Sequence, residues 1–278
     1  MTLENAPTSL TGPHLSFLSR AVPLLASDAR ILAVGAVGSY LANTLDEFSD
    51  LDLVVVVDPA HEASVSADRQ HIAGALGSLL ASFTGEHVGE PRLLICLYDE
   101  PLLHVDLKFV ALPDMAHRVE DPVVLWEREG RLSAALRPGD AAFPAPDVSW
   151  IEARFWVWVH YAAGKIGRGE LFEAVDFFAF LRGAVLGPLI LQRSGARPTG
   201  VRKIETFAPA LAEALRATIA TYDTRDCLRA LRASIALYRR LRGDPDSAPP
   251  RSAAEGAAMA YVDEVERRFD PTKHPPSA

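Results

Sequence analysis

The chain has 278 residues, 49% hydrophobic and 23% charged, with a formal net charge of −8. That length suits two domains of ordinary size better than one, and no stretch approaches the roughly twenty unbroken apolar residues of a membrane span. Residues 1–149 hold 9 Lys and Arg against 21 Asp and Glu, a balance of −12, and residues 150–278 hold 19 against 15, a balance of +4; an acidic first half argues against nucleic acid as a stable partner and suits metal ions or cationic ligands.

In chain order, the opening MTLENAPTSLTGPHL lacks the basic start and apolar stretch of a secretory signal, which predicts a cytoplasmic protein without a membrane span. Residues 13–29 have helical spacing, and ILAVGAV (31–37) predicts a short strand ended by Gly38, with a helix following from Ser39. LDLVVVV (51–57) predicts a second, buried strand. Residues 64–83 predict an amphipathic helix with Ile72, Leu76, Leu79, Leu80 and Phe83 inward. RLLICLYD (92–99) and LLHVDLKFV (102–110) predict a strand pair turned at Glu100 and Pro101, and VVLWERE (123–129) a fifth strand. From Pro138 to Trp150 three prolines and the absence of any period mark a linker. Beyond it, helices are predicted near 150–166, 169–193, 208–222, 225–242 and 252–269, then a frayed polar tail, DPTKHPPSA. Cys96 and Cys227, the only cysteines, fall in an apolar run and a helical stretch, as small buried side chains do. The expected fold class is α+β: a mixed-sheet domain over residues 1–140, then an all-helical domain over 150–270, with a site in the cleft between them.

The chemistry concentrates in VGAVGSYLANTLDEFSDLDLVVVV (34–57). Strand alternation puts Asp50 and Asp52 on one face with Leu51 and Leu53 on the other. Two adjacent carboxylates beside an apolar sheet repel each other unless a multivalent cation neutralises them, and Mg²⁺ takes such hard oxygen ligands together with substrate phosphates. Asp106 on a later strand could complete a cluster able to hold two ions, with His104 and Lys108 on its face. Gly38 and Ser39 stand where a strand turns into a helix, where backbone N–H groups and a hydroxyl suit phosphate oxygens.

Gly38-Ser39, a gap of ten residues, Asp50-Leu51-Asp52 on a strand and a third acid, Asp106, together resemble the nucleotidyltransferases of the DNA polymerase β type. A catalytic domain followed by helices looks most like the aminoglycoside and lincosamide nucleotidyltransferases among them, a likeness carried also by VVLWEREGRL and FWVWVHYAAGKIGRGELFEAV. The resemblance implies Mg²⁺, two ions in number, on Asp50, Asp52 and Asp106; the triphosphate of ATP or another NTP on Gly38 and Ser39; and Asp106 as general base in the transfer of AMP to a hydroxyl of a small-molecule acceptor, for which an aminoglycoside-like antibiotic is the candidate. Where relatives often carry an Arg soon after the Ser, this chain has Tyr40, Leu41, Ala42 and Asn43.

Glu152, just past the linker, is a second candidate base. Arg154, Trp158, Tyr161 and Lys165 share a helix face that could stack a purine and neutralise phosphates, and the resemblance favours Lys165 for the nucleotide. Arg225, Arg229, Arg232 and Arg239 form the solvated side of an amphipathic helix. The alternative reading is a protein-modifying or inactive interaction module of the toxin-antitoxin type, and self-association as a homodimer is left open.

Overall fold

The computed structural model describes residues 7–10, 12–137, 139–243 and 249–269. The first six residues of the opening, Pro138 of the linker and the tail from residue 270 lie outside the described residues. The chain divides into two compact units, Met1–Phe143 and Pro144–Ala278.

The first unit runs α1 (Gly12–Ser27), β1 (Ile31–Ala36), α2 (Gly38–Leu41), β2 (Leu51–Val57), α3 (Glu62–Ala75), β3 (Ser78–Gly85), β4 (Glu90–Asp99), β5 (Leu103–Ala111), β6 (Val123–Glu127) and α4 (Arg131–Leu136). Its six strands form one mixed sheet in the order β3-β4-β5-β2-β1-β6. β2 and β5 are parallel, whereas the β1–β2, β1–β6, β3–β4 and β4–β5 pairings are antiparallel.

One face of the sheet is sealed by α1 and α3: Phe17, Leu25, Val65 and Ile72 pack with Leu51, Leu53, Val55, Val105 and Leu107. On the other face Val54, Val56 and Val110 pack with Met115, from a 3-10 turn over Leu112–His117, and with Leu132 of α4. Valine in that setting contributes about 1.5–3 kcal/mol relative to exposure, which explains an almost unbroken run of it in β2. The half-buried Asp52 stands on this second face, one alternation before Val54.

The helix expected over 64–83 ends at Ala75, and residues 78–85 are the strand β3. β3 is at the edge of the sheet, and Leu80 and Phe83, expected inward, are 55% and 54% exposed. An edge strand without a fully covered face does not enforce period-two burial, so its apolar spacing passed for a helical one. The expected helix after Ser39 is only four residues long.

The second unit holds α5 (Val148–Gly167), α6 (Leu171–Leu181), α7 (Gly187–Arg193), α8 (Ile204–Phe207), α9 (Pro209–Arg216), α10 (Thr224–Leu241) and α11 (Ser252–Arg268). The side chain of Asp147 caps α5 by accepting from Trp150 N at 2.8 Å, and that of Asp223 caps α10 by accepting from Arg225 N and Asp226 N. A π turn over Arg182–Leu186 joins α6 to α7 where Pro188 cannot donate to a preceding carbonyl. The resulting rod, Leu171–Arg193, is long and apolar enough to cross a membrane by length and composition. Phe178, Leu181, Val185, Leu189 and Ile190 bury it in the core of this unit, as in the central helix of a globular bundle. Of the arginine stripe on α10, Arg232 pairs with Asp263 and Glu266, and Arg239 with Glu255, so it ties α10 to α11.

Candidate active site

Asp52 and Asp106 are register partners on the parallel strands β2 and β5. In-register neighbours project to the same face about 4.8 Å apart, so the sheet itself sets these two carboxylates side by side. Asp50 lies one residue before β2 and is also half-buried. The segment leading to it is fastened to the N-terminal part of the unit. His14, itself buried, bonds through Nε2 to Ser49 O at 2.8 Å, and Ser9 N donates to Asn43 Oδ1.

The Gly38 turn is locked to the same strand, because Val37 N donates to Asp52 O at 3.0 Å. Gly38 has φ +60°, and a Cβ there would collide with the Asp52 carboxylate. Only glycine therefore lets the backbone come so close to that acid. Ser39 follows, half-buried, its hydroxyl unbonded among the described residues. Gly38 N–H donates to Glu120 Oε2 at 3.2 Å, which places a second acidic side chain, besides Asp52, against the turn.

Along β5, His104 Nε2 stands 3.0 Å from Asp106 Oδ1, with His104 half exposed and the Asp106 side chain 19% exposed. Lys108 Nζ reaches Glu90 Oε2 at 2.7 Å, and Arg92 Nε reaches Glu90 Oε1 at 2.7 Å. The Arg92 hydrogen bond, aided by Lys108, holds Glu90 well below its ordinary 4.5, at about 2. A depressed carboxylate stabilises the fold above its unfolded value and loses that contribution as pH falls through the folded one. Glu90→Gln should accordingly flatten the decline of melting temperature between about pH 4.5 and pH 2; an unchanged acid limb would exclude Glu90 as its source.

Among the described residues no three or more His, Cys, Asp or Glu side chains are grouped so as to hold a metal ion. The expected cluster of Asp50, Asp52 and Asp106 is therefore not among such groups; what the sheet does offer is a pair of hard oxygen donors, Asp52 and Asp106, in register, suited to a cation that completes its shell with waters and phosphates.

The other residues singled out by sequence belong to the second unit. Glu152 is 3% exposed and its carboxylate accepts from Trp156 Nε1 at 3.1 Å, Tyr238 OH at 2.5 Å and Arg251 N at 3.0 Å. The carboxylate offered as a second base is thus committed to holding α5, α10 and the start of α11 together. Burial, and next Glu152 itself, push the Tyr238 phenol up from its ordinary value, so it stays a donor. Lys165 is held by Glu170 at 2.6 Å and Glu173 at 3.4 Å, the Glu170 hydrogen bond raising its pKa. Arg154 lies over the Trp150 ring at 4.4 Å and donates to Trp150 O. Glu120 and Glu90 were not singled out by sequence; Glu120 sits in a loop without period, and only the fold brings it to Gly38.

The Gly38-Ser39 turn thus packs against Asp52 of β2, and Asp106 stands in register with Asp52 on the parallel neighbour β5. Residues 18–107 match the nucleotidyltransferase domain family, a span that includes Gly38, Ser39, Asp50, Asp52 and Asp106, and the first unit carries that domain. Among solved structures, an aminoglycoside 6-adenyltransferase from Bacillus subtilis is 14% identical over 95% of this chain and 99% of its own, with a TM-score of 0.33. A nucleotidyltransferase-like protein from Exiguobacterium sibiricum 255-15 is 16% identical over 92% of this chain and 80% of its own, with a TM-score of 0.39. No curated protein matches the chain.

Proposed function

We propose that the protein is a Mg²⁺-dependent enzyme that moves a nucleoside monophosphate, AMP from ATP before other nucleotides, onto a hydroxyl of a small molecule. The observation that supports this reading most directly is the register pairing of Asp52 with Asp106 beside Gly38. Mg²⁺ held by Asp52 and Asp106, with Asp50 as a further ligand, would stabilise charge on the attacking and leaving oxygens of an in-line displacement.

The chain's own residues supply the rest. Ser39 and the Gly38 N–H hold the β- and γ-phosphates. Asp106 takes the proton of the acceptor hydroxyl while that oxygen bonds to the α-phosphorus; the bond from this phosphorus to the α–β bridging oxygen breaks, and pyrophosphate leaves with the electron pair. His104, bonded to Asp106, fixes the orientation of that carboxylate. A cytoplasmic location, with free Cys96 and Cys227 thiols, goes with this reading.

The test is incubation with ATP labelled at the α-phosphate, Mg²⁺ and a panel of hydroxyl compounds. Label should move to an acceptor with stoichiometric pyrophosphate and only in the presence of the divalent ion. Failure of the protein to bind or consume any nucleoside triphosphate would overturn the proposal. Because Glu120 accepts from Gly38 N–H, a phosphate bound to that N–H would displace a carboxylate. Glu120→Gln should bind a non-hydrolysable ATP analogue about fivefold more tightly, a gain of roughly 1 kcal/mol, in a calorimetric titration; weaker binding would make Glu120 a ligand of the complex.

A further inference from the structure

A cavity of about 320 Å³ opens on the sheet face that carries Asp52 and Asp106. Val54 in its floor is one alternation along β2 from Asp52, and Lys108 and Val110 are one and two alternations along β5 from Asp106. Its opposite wall is the 3-10 turn and the residues that follow it, as far as Glu120, whose carboxylate is bonded to Gly38 N–H. The cavity therefore adjoins both the carboxylate pair and the Gly-Ser turn.

Its floor is apolar, made by Val37, Val54, Val110 and Met115. The full cations around that floor are already paired. Arg92 and Lys108 share Glu90, and Arg92 also reaches Asp114 at 3.3 Å. Arg118, whose side chain is 5% exposed, pairs with Asp121 and donates to the carbonyls of Leu136 and Gly139. The two acids that line the cavity, Asp114 and Glu120, thus have bonds of their own, and three full cations stand beside them. A ligand bearing several ammonium groups would meet three full cations of its own sign, Arg92, Lys108 and the buried Arg118, against two acids in the lining, and like charges brought together repel.

Resting on the nucleotidyl-transfer reading, we infer that this cavity is the acceptor pocket and that the acceptor is a neutral or acidic hydroxyl compound with an apolar body, not a polycation. The acid balance of the first half suggests a cationic partner; the cavity next to the carboxylates does not, because its lining carries three full cations, Arg92, Lys108 and Arg118, against two acids, Asp114 and Glu120. The apolar floor takes the body of the acceptor, and the hydroxyl points toward Asp106.

Val119, on the cavity wall and 41% exposed, offers a substitution that does not disturb the core. The experiment titrates wild-type protein and Val119→Trp with a non-hydrolysable ATP analogue and with a hydroxyl panel of neutral, acidic and polyamino compounds, then measures transfer of labelled AMP to each. In the wild type, neutral or acidic members should bind and accept label, and polyamino sugars should not. Val119→Trp should raise the acceptor KM about tenfold or more by removing ground-state binding, with affinity for the ATP analogue unchanged. Preferred transfer to polyamino compounds overturns the inference, and so does loss of ATP-analogue binding in Val119→Trp, which would give the cavity to the nucleotide. Wild-type protein that binds no ATP analogue sinks the nucleotidyl-transfer reading itself, a result distinguishable from either of these.

Discussion

Asp52→Asn and Asp106→Asn are each expected to lower nucleotidyl transfer by on the order of 10³-fold or more, without lowering the melting temperature in the absence of ligands. Two effects add in the rate: a lost ligand to the charge-stabilising ion, and for Asp106 a lost proton acceptor, itself contributing about 10²- to 10⁴-fold. Stability should not suffer, because each change removes one charge from a pair set side by side by strand register and keeps the volume of the side chain. Asn at 52 also keeps the shape against which Gly38 packs. The check is turnover of labelled ATP beside thermal melts with and without Mg²⁺ and ATP. Wild-type protein should gain melting temperature from the two together and the variants should gain less. Turnover of Asp52→Asn within tenfold of wild type would remove the carboxylate pair from the chemistry.

Glu152→Ala is expected to act on the fold, destabilising the helical unit by about 2–4 kcal/mol, because it strands several buried donors at once. The Trp156 indole, the Tyr238 hydroxyl and the Arg251 backbone N–H all lose their acceptor in a core where Phe155 also stacks on Tyr238 at 3.7 Å. Calorimetric melting should show a fall of roughly 10 °C for a unit of this size. Glu152→Gln keeps one acceptor oxygen and should fall less, with turnover per folded molecule near wild type. A Glu152→Gln protein that melts normally and binds Mg²⁺–ATP normally but has lost kcat would instead identify Glu152 as the proton acceptor and displace Asp106 from that role.

The valine run of β2 and the alternation that separates Asp52 from Leu51 and Leu53 were legible in the sequence, because a strand covered on both faces over most of its length writes its burial into consecutive residues. Asp106 was legible for the same reason, standing as a polar residue among Val105, Leu107 and Phe109. What periodicity could not supply was partnership across the chain. That β2 and β5 are parallel neighbours in register depends on the path through β3 and β4, and β3 was hidden by its edge position. Glu120 meets Gly38 across 82 positions of sequence, and no local pattern encodes that contact. Nor could the sequence show the donors that meet Glu152, which come from its own helix, from α10 and from Arg251.

The parallel β2–β5 pair makes this site intolerant of changes in chain length, more than of changes in side-chain type. Deleting or inserting one residue within β2 ahead of Val54 would carry Asp52 through to the face packed by α1 and α3, and an apolar neighbour would take its place beside Asp106. The segment 112–121 lies outside the strands, where lengthening costs only slowly increasing loop entropy. Homologous chains that keep the chemistry should therefore vary freely in the length of segment 112–121, and so in the wall of the adjoining cavity, while the gap from Ser39 to Asp50 and the spacing from Asp52 to the end of β2 and from Asp106 to the end of β5 stay constant.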